Sequence, residues 1–199
     1  MTSRIVLVSG PVRSGKSDYA EELTKAASEE AAAATGVSPE ELVAYVATAE
    51  AGDQEMASRI AAHQARRPRA WLTKEAPFHP ALAIQEAYAA GRRVLLLDCL
   101  TMLVSNWLCR LLPEEEQEQL LEQDYFNAMA QPVEEMLALI RSLEDVTLVM
   151  VTDEVGWGLV PDNALGRLYR DLAGRINRQA AAAADQAWLV VMGLPQQLK

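Results

Sequence analysis

Eight residues near the amino terminus, Gly10-Pro11-Val12-Arg13-Ser14-Gly15-Lys16-Ser17, fit the pattern G-x-x-x-x-G-K-[ST] and fall between an apolar run and a helical pattern. Such a loop holds phosphate. Its glycines let successive backbone N–H groups turn inward around phosphate oxygens, and the helix that follows adds the positive end of its dipole. Lys16 would bridge the β and γ phosphates of a nucleoside triphosphate, and the Ser17 hydroxyl would join a Mg²⁺ shell.

A carboxylate at the end of a neighbouring strand completes that shell. Asp98, which closes Val94-Leu95-Leu96-Leu97, has the position for it; capping the helix that begins near Leu100 is the plainer role. His63 is one of two histidines. On a helix over 53–66 it shares a face with Met56, Arg59 and Ile60, and Arg66 and Arg67 follow before Pro68 stops the helix. Guanidinium neighbours disfavour imidazolium and attract a triphosphate, which poises a neutral ring to attack phosphorus. Periodicity alone favours a histidine that merely packs or caps. His79, between Phe78 and Pro80, has no comparable surroundings. The run Asp153-Glu154-Val155-Gly156-Trp157 follows a strand, in the kind of loop where such folds bind ligands. Trp157 would either carry a large apolar substrate or pack inward.

These residues need a frame, and the chain supplies one. Short apolar runs alternate with longer helical patterns, the signature of α/β units on a mainly parallel central sheet flanked by helices. The patterns predict strands at 4–9, 43–48, 94–98, 146–152 and 187–192, with a weaker one at 71–73. Helices are predicted at 17–34, 53–66, 80–90, 101–112, 125–143 and 163–183, with Asp53 and Asn163 as N-caps and Gly91 as a C-cap. Segment 35–41 reads as a turn with a capping box, and segment 113–124, with six acidic residues, as a solvated connection.

Composition narrows the classes. At 199 residues the chain, 1–199, fits one domain, and a net charge of -10 argues against general affinity for nucleic acid or anionic membranes. A triphosphate site is unaffected, because distant charges are screened beyond about 8 Å whereas a local cation is not. The apolar runs are far shorter than a bilayer span, and the N-terminus has no secretory pattern, so a cytoplasmic protein is expected. Cys99 and Cys109 suit neither a disulfide framework nor a metal cluster, and both are expected in the core.

Taken together, five stretches resemble the bifunctional adenosylcobinamide kinase / adenosylcobinamide-phosphate guanylyltransferase family of cobalamin biosynthesis. They are G-P-V-R-S-G-K-S (10–17), Y-V-A-T-A (45–49), E-M-A-S-R-I-A-A-H-Q-A-R-R-P (55–68), L-L-D-C-L-T (96–101), and V-T-D-E-V-G-W-G-L-V-P (151–161) continuing through R-D-L-A-G-R-I-N (170–177) to W-L-V-V-M-G-L-P (188–195). The resemblance implies a homotrimer with a RecA-like P-loop NTPase fold and two reactions. In one, GTP or ATP phosphorylates adenosylcobinamide, a corrinoid. In the other, GTP donates GMP to the resulting phosphate through a covalent GMP-histidine, which motif position assigns to His63. It also implies that Ala47, Thr48, Ala49, Gln64, Ala65, Arg66, Arg67, Glu75 and Asp98 line the GTP site beside the phosphate loop. For the kinase base, Glu154 and Asp98 both stand as candidates.

The chain also departs from the family pattern. Pro11 and Val12 replace small residues, Ala62 stands where some relatives carry a second histidine, and 35–42 lengthens the first crossover. Asp153 stands in place of an asparagine and puts a negative charge near a phosphate. Two other readings keep the same loop: a small-molecule kinase without the transferase step, and a nucleotide-gated binding module without turnover.

Overall fold

The structure, a computed structural model, describes residues 3–52, 54–112 and 122–199; the side chains of Glu55, Met56, Arg59, Ala62, His63 and Arg66 lie outside the described set. The Asp53 cap and most of the acidic connection therefore fall outside it too.

Among the described residues, seven strands form one sheet: β1 (Arg4–Gly10), β2 (Val43–Ala47), β3 (Leu72–Glu75), β4 (Val94–Asp98), β5 (Thr147–Asp153), β6 (Gln186–Val191) and β7 (Leu194–Gln197). Their order is β3-β2-β4-β5-β1-β6-β7, parallel throughout except for the β6–β7 pair. Six α-helices among the described residues accompany them: α1 (Lys16–Thr35), α2 (Gln54–Arg66), α3 (Pro80–Ala89), α4 (Leu100–Leu111), α5 (Glu122–Ser142) and α6 (Ala164–Ala183). This is the expected P-loop NTPase fold, with β5 inserted between the strand that feeds the phosphate loop and the strand that ends in Asp98.

Continuous apolar strands follow from burial on both faces. In β1, Ile5 and Leu7 join a cluster with Met136, Ile140, Leu172 and Ile176 from α5 and α6. Val6 and Val8 face the other way, against Ala20 and Ala27 of α1. Two helix ends match their sequence signals, whereas Ser38, ahead of a 3₁₀ turn over Pro39–Leu42, makes no side-chain cap bond, so the capping box expected there is not formed. Asn163 accepts a bond from the Gly166 N–H at 2.6 Å, an N-cap, and Gly91, just past α3, has φ +86°, which favours glycine.

Parallel register places the chemistry. Gly10 pairs with Asp153, Asp98 with Ala47, and Ala47 with Glu75. The carboxyl ends of five strands thus bring these residues to one edge of the sheet, where open α/β sheets bind ligands.

Two further features lie outside the sequence expectations. Val191 and Leu194 pair across Met192 and Gly193, both at positive φ, which makes a tight hairpin into β7. Cys109 is exposed on α4 whereas Cys99 is buried, correcting the expectation that both are core. Leu108, next to Cys109 on the helix, takes the buried position.

Candidate active site

The phosphate loop is locked by close backbone approach. A Cβ on Gly10 would fall 2.4 Å from the Val190 carbonyl oxygen, so a side chain there would displace β6 or the loop. Gly15 opens α1 at φ +91°, with Gly193 Cα 3.2 Å from where its Cβ would be. The Gly193 N–H donates to the Ser14 carbonyl at 2.7 Å. The β6–β7 hairpin is therefore the wall on which the loop rests. Pro11 accepts from the Ser14 N–H at 3.2 Å, closing the turn, while Val12 and Arg13 project outward.

A cavity of about 600 Å³ opens in front of the loop. Val12, Lys16 and Ser17 border it on one side, Ala47, Ala49, Glu75 and Asp98 along the strand ends, and Ile60, Gln64 and Arg67 on the side of α2. Most of the predicted nucleotide residues therefore meet around one space, and Gln64, which follows His63 in the sequence, is among them. The His63 backbone is part of α2, and its side chain and that of Arg66 are outside the described set. Ala65 is exposed and is not part of this lining.

Lys16 is buried, and its Nζ lies 2.5 Å from Asp153 Oδ1 and 3.3 Å from the Pro11 carbonyl. Asp153 is fixed in turn by Thr101, whose hydroxyl donates to Oδ2 at 3.2 Å and accepts from the Asp153 N–H at 2.8 Å. Asp98 caps nothing: Cys99 holds the N-cap position of α4 without a side-chain bond. Instead the Tyr45 hydroxyl donates to Asp98 Oδ2 at 2.5 Å. Burial, and then the Asp98 charge, push the Tyr45 pKa up, so the phenol stays protonated and remains a donor. The same ring carries the Arg67 guanidinium, 3.2 Å from its centroid, a cation–π contact of roughly 1–2 kcal/mol when desolvated. Arg67 Nε and Nη1 are buried without a hydrogen-bond partner among the described residues, which suits a guanidinium placed to receive an anion.

Thr48 is fully buried beneath the cavity rather than lining it. Its hydroxyl donates to the Cys99 carbonyl and accepts from the Cys99 N–H, both at 2.7 Å, and Asn106 Nδ2 donates to its carbonyl. Thr48 thus sets the backbone from which Asp98 projects. Burial pushes the Cys99 thiol up to about 12, and Asp98 and Asp153 add to the shift, so it is no nucleophile at neutral pH.

The two candidate bases part company. Asp98 shares the cavity with Lys16. Glu154 Oε1 accepts from Ser9 Oγ and Asn177 Nδ2, and the residue borders a separate cavity of about 410 Å³ with Trp157, Arg178 and Leu198. Trp157 is 60% exposed, which removes the inward-packed alternative. Tyr45, Thr101 and Asn106 escaped the sequence reading, because their contacts arise between elements more than 50 residues apart.

Ser17 and Asp98 are hard oxygen donors on one cavity, which fits Mg²⁺. Among the described residues no three His, Cys, Asp or Glu side chains gather into a metal-holding group. The donor set suits a cation that keeps water and shares substrate phosphates.

A family model described as cobinamide kinase / cobinamide phosphate guanyltransferase matches residues 6–198. Similar proteins include the bifunctional adenosylcobalamin biosynthesis protein CobU of Salmonella typhimurium strain LT2, 40% identical over 98% of this chain and 99% of that protein. The CobU protein of Escherichia coli strain K12 is 38% identical over the same shares, and CobP of Pseudomonas aeruginosa is 37% identical over 97% and 96%. A site gathered by parallel register and a match along nearly the whole chain agree: the chain belongs to the cobinamide kinase / cobinamide phosphate guanyltransferase family.

Proposed function

We propose that this chain carries both activities of its family on adenosylcobinamide, using GTP or ATP for phosphorylation and GTP for guanylyl transfer. In the first step the oxygen of the corrinoid's aminopropanol hydroxyl attacks the γ phosphorus. The bond from that phosphorus to the β-γ bridging oxygen breaks, the nucleoside diphosphate leaves, and the hydroxyl proton passes to a base, for which Asp98 is better placed than Glu154. Lys16 and the backbone N–H groups of residues 10–17 neutralise the charge that develops.

In the second step a ring nitrogen of His63 attacks the α phosphorus of GTP and pyrophosphate departs. An oxygen of the corrinoid phosphate then attacks the same phosphorus and the P–N bond breaks, which returns free histidine and gives adenosylcobinamide-GDP. Ser17 and Asp98 would hold Mg²⁺, which supplies positive charge to the phosphates and the departing pyrophosphate. Gly10 to Ser17 hold the triphosphate, with Ala47, Ala49, Gln64, Arg67, Glu75 and Asp98 around it, Thr48 beneath, and Ala65 and Arg66 completing the segment after the histidine. The observation that carries this reading is the sharing of one cavity by Lys16, Ser17 and Asp98 with Gln64, next to His63 in sequence, and with Ile60 and Arg67, within about a turn of it on either side. The reading extends to a cytoplasmic homotrimer of single-domain subunits. Among the described residues no helix is long and apolar enough to cross a membrane.

Incubation with GTP and Mg²⁺ should add one GMP to the intact protein, in an acid-labile, alkali-stable bond that peptide mass spectrometry places on His63. No mass gain on folded protein, or an adduct elsewhere, overturns the transferase half.

Tyr45 offers a finer test. Tyr45→Phe removes the donor to Asp98 and keeps the ring under Arg67, so phosphorylation should slow about tenfold at an unchanged KM for nucleotide, the worth of one hydrogen bond to a charged group. Tyr45→Leu removes the stack as well and should also raise the KM for GTP. Steady-state kinetics of the pair separates the two contacts; a Phe variant as fast as the parent means Asp98 is oriented by something else.

A further inference from the structure

The ammonium that should receive phosphate oxygens already has a carboxylate. Asp153 closes β5 directly beside the loop, opposite Gly10 in register, and its Oδ1 lies 2.5 Å from Lys16 Nζ. Both side chains are largely withdrawn from water, at 10% exposure for Lys16 and 22% for Asp153. Thr101 holds the carboxylate by two bonds, one to the side chain and one to the backbone, so it is braced against swinging away when a ligand arrives. Asp98 borders the same cavity, which therefore presents four carboxylates, those of Asp98, Asp153, Glu50 and Glu75, against Lys16 and the guanidinium of Arg67.

That balance is poor for a bare polyphosphate. A metal-free triphosphate brings about four negative charges, and each phosphate oxygen near Lys16 also lies near Asp153. At an effective dielectric near 20, one like-charge contact at a few ångströms is unfavourable on the order of a tenfold or larger change in affinity. A divalent cation reverses the sign of the effect, because it offsets the phosphate charge and gives the carboxylates an opposite partner. We propose that Asp153 is a selectivity residue that makes the phosphate loop accept the metal-bound triphosphate and turn away the metal-free one. The proposal rests on reading residues 10–17 as a triphosphate site. It goes beyond that reading by assigning to Asp153, the carboxylate paired with Lys16, the discrimination between the two forms of the ligand.

The test measures binding rather than turnover. Calorimetric titration with α,β-methylene GTP, whose bridge blocks transfer of GMP, is run in excess chelator and again in excess Mg²⁺, for the parent protein and for Asp153→Asn. Asparagine can keep a carbonyl oxygen toward Lys16 and a bond to Thr101, so the loop retains its geometry. The metal-free dissociation constant should fall about tenfold or more in the variant, whereas the metal-bound one changes less than about threefold. Asp153→Ser, a second neutral replacement, should show the same collapse of the ratio and keeps the test open if asparagine disturbs folding. An unchanged ratio in both variants overturns the proposal, as does a parallel loss of both affinities, which would make Asp153 a mere brace for Lys16. A parent protein that binds the analogue in neither condition overturns the triphosphate reading itself.

Discussion

Replacing His63 with alanine should abolish the GMP adduct and lower guanylyl transfer by about 10⁴-fold or more, the scale of losing a covalent nucleophile. Phosphorylation should fall by far less, because a direct transfer to an alcohol needs positioning and charge neutralisation but no protein nucleophile. The size of the first effect follows from what the imidazole supplies. The corrinoid phosphate is an anion approaching an anionic triphosphate, a slow encounter for direct attack, whereas a neutral ring meets the α phosphorus without that repulsion. Arg67, half-buried beside the cavity with two nitrogens that find no hydrogen-bond partner among the described residues, can draw the phosphates toward the carboxyl-terminal end of α2. Rapid-quench measurement of labelled GMP on the protein, beside corrinoid phosphorylation on the same preparation, checks both halves. An adduct that forms at the parental rate in the variant places the nucleophile elsewhere. A phosphorylation rate that collapses equally means that α2 serves both steps as one unit.

The strands were legible because both faces of a parallel sheet are buried, which leaves runs such as Val94-Leu95-Leu96-Leu97 with no polar interruption. The hairpin strand β7 gave no such signal: Leu194-Pro195-Gln196-Gln197 is exposed along its length and carries a proline, as an edge strand can. Its turn, Met192-Gly193, is also not one of the common turn pairs. At the site, Lys16, Ser17 and Asp98 were readable because each sits at a strand or helix terminus that the local pattern marks. Thr48 matched by motif, yet its side chain points into the floor, a distinction that depends on how Cys99 approaches it across two strands. The Tyr45–Asp98 and Lys16–Asp153 contacts were invisible for the same reason. They depend on β2 pairing with β4, and β5 with β1, and no local periodicity encodes strand order. What the sequence did flag at 153 was a charge out of place. The structure gives that charge its partner.

Lys16→Ala should weaken binding of metal-bound triphosphate and slow both reactions by about 10²- to 10³-fold, and the loss has two parts that can be separated. One is the missing ammonium, which no longer bridges phosphate oxygens or offsets the charge of the transition state. The other is what the substitution leaves behind: Asp153 stays tethered by Thr101 and now faces the phosphates with its partner gone. An uncompensated, partly buried carboxylate beside an anionic ligand opposes binding beyond the loss of the attraction itself. The two parts predict non-additivity. Adding Asp153→Asn to Lys16→Ala should recover about tenfold of the lost affinity, as expected for two residues in direct contact. In the Lys16 background the metal-free analogue should gain most, since no cation of either kind then shields the carboxylate. Dissociation constants for the parent, the two single variants and the double variant, each with and without Mg²⁺, close the cycle. If the double variant binds no better than Lys16→Ala alone, the carboxylate is not felt by the phosphates, and the salt bridge between Lys16 and Asp153 is only a resting contact that the ligand displaces without cost.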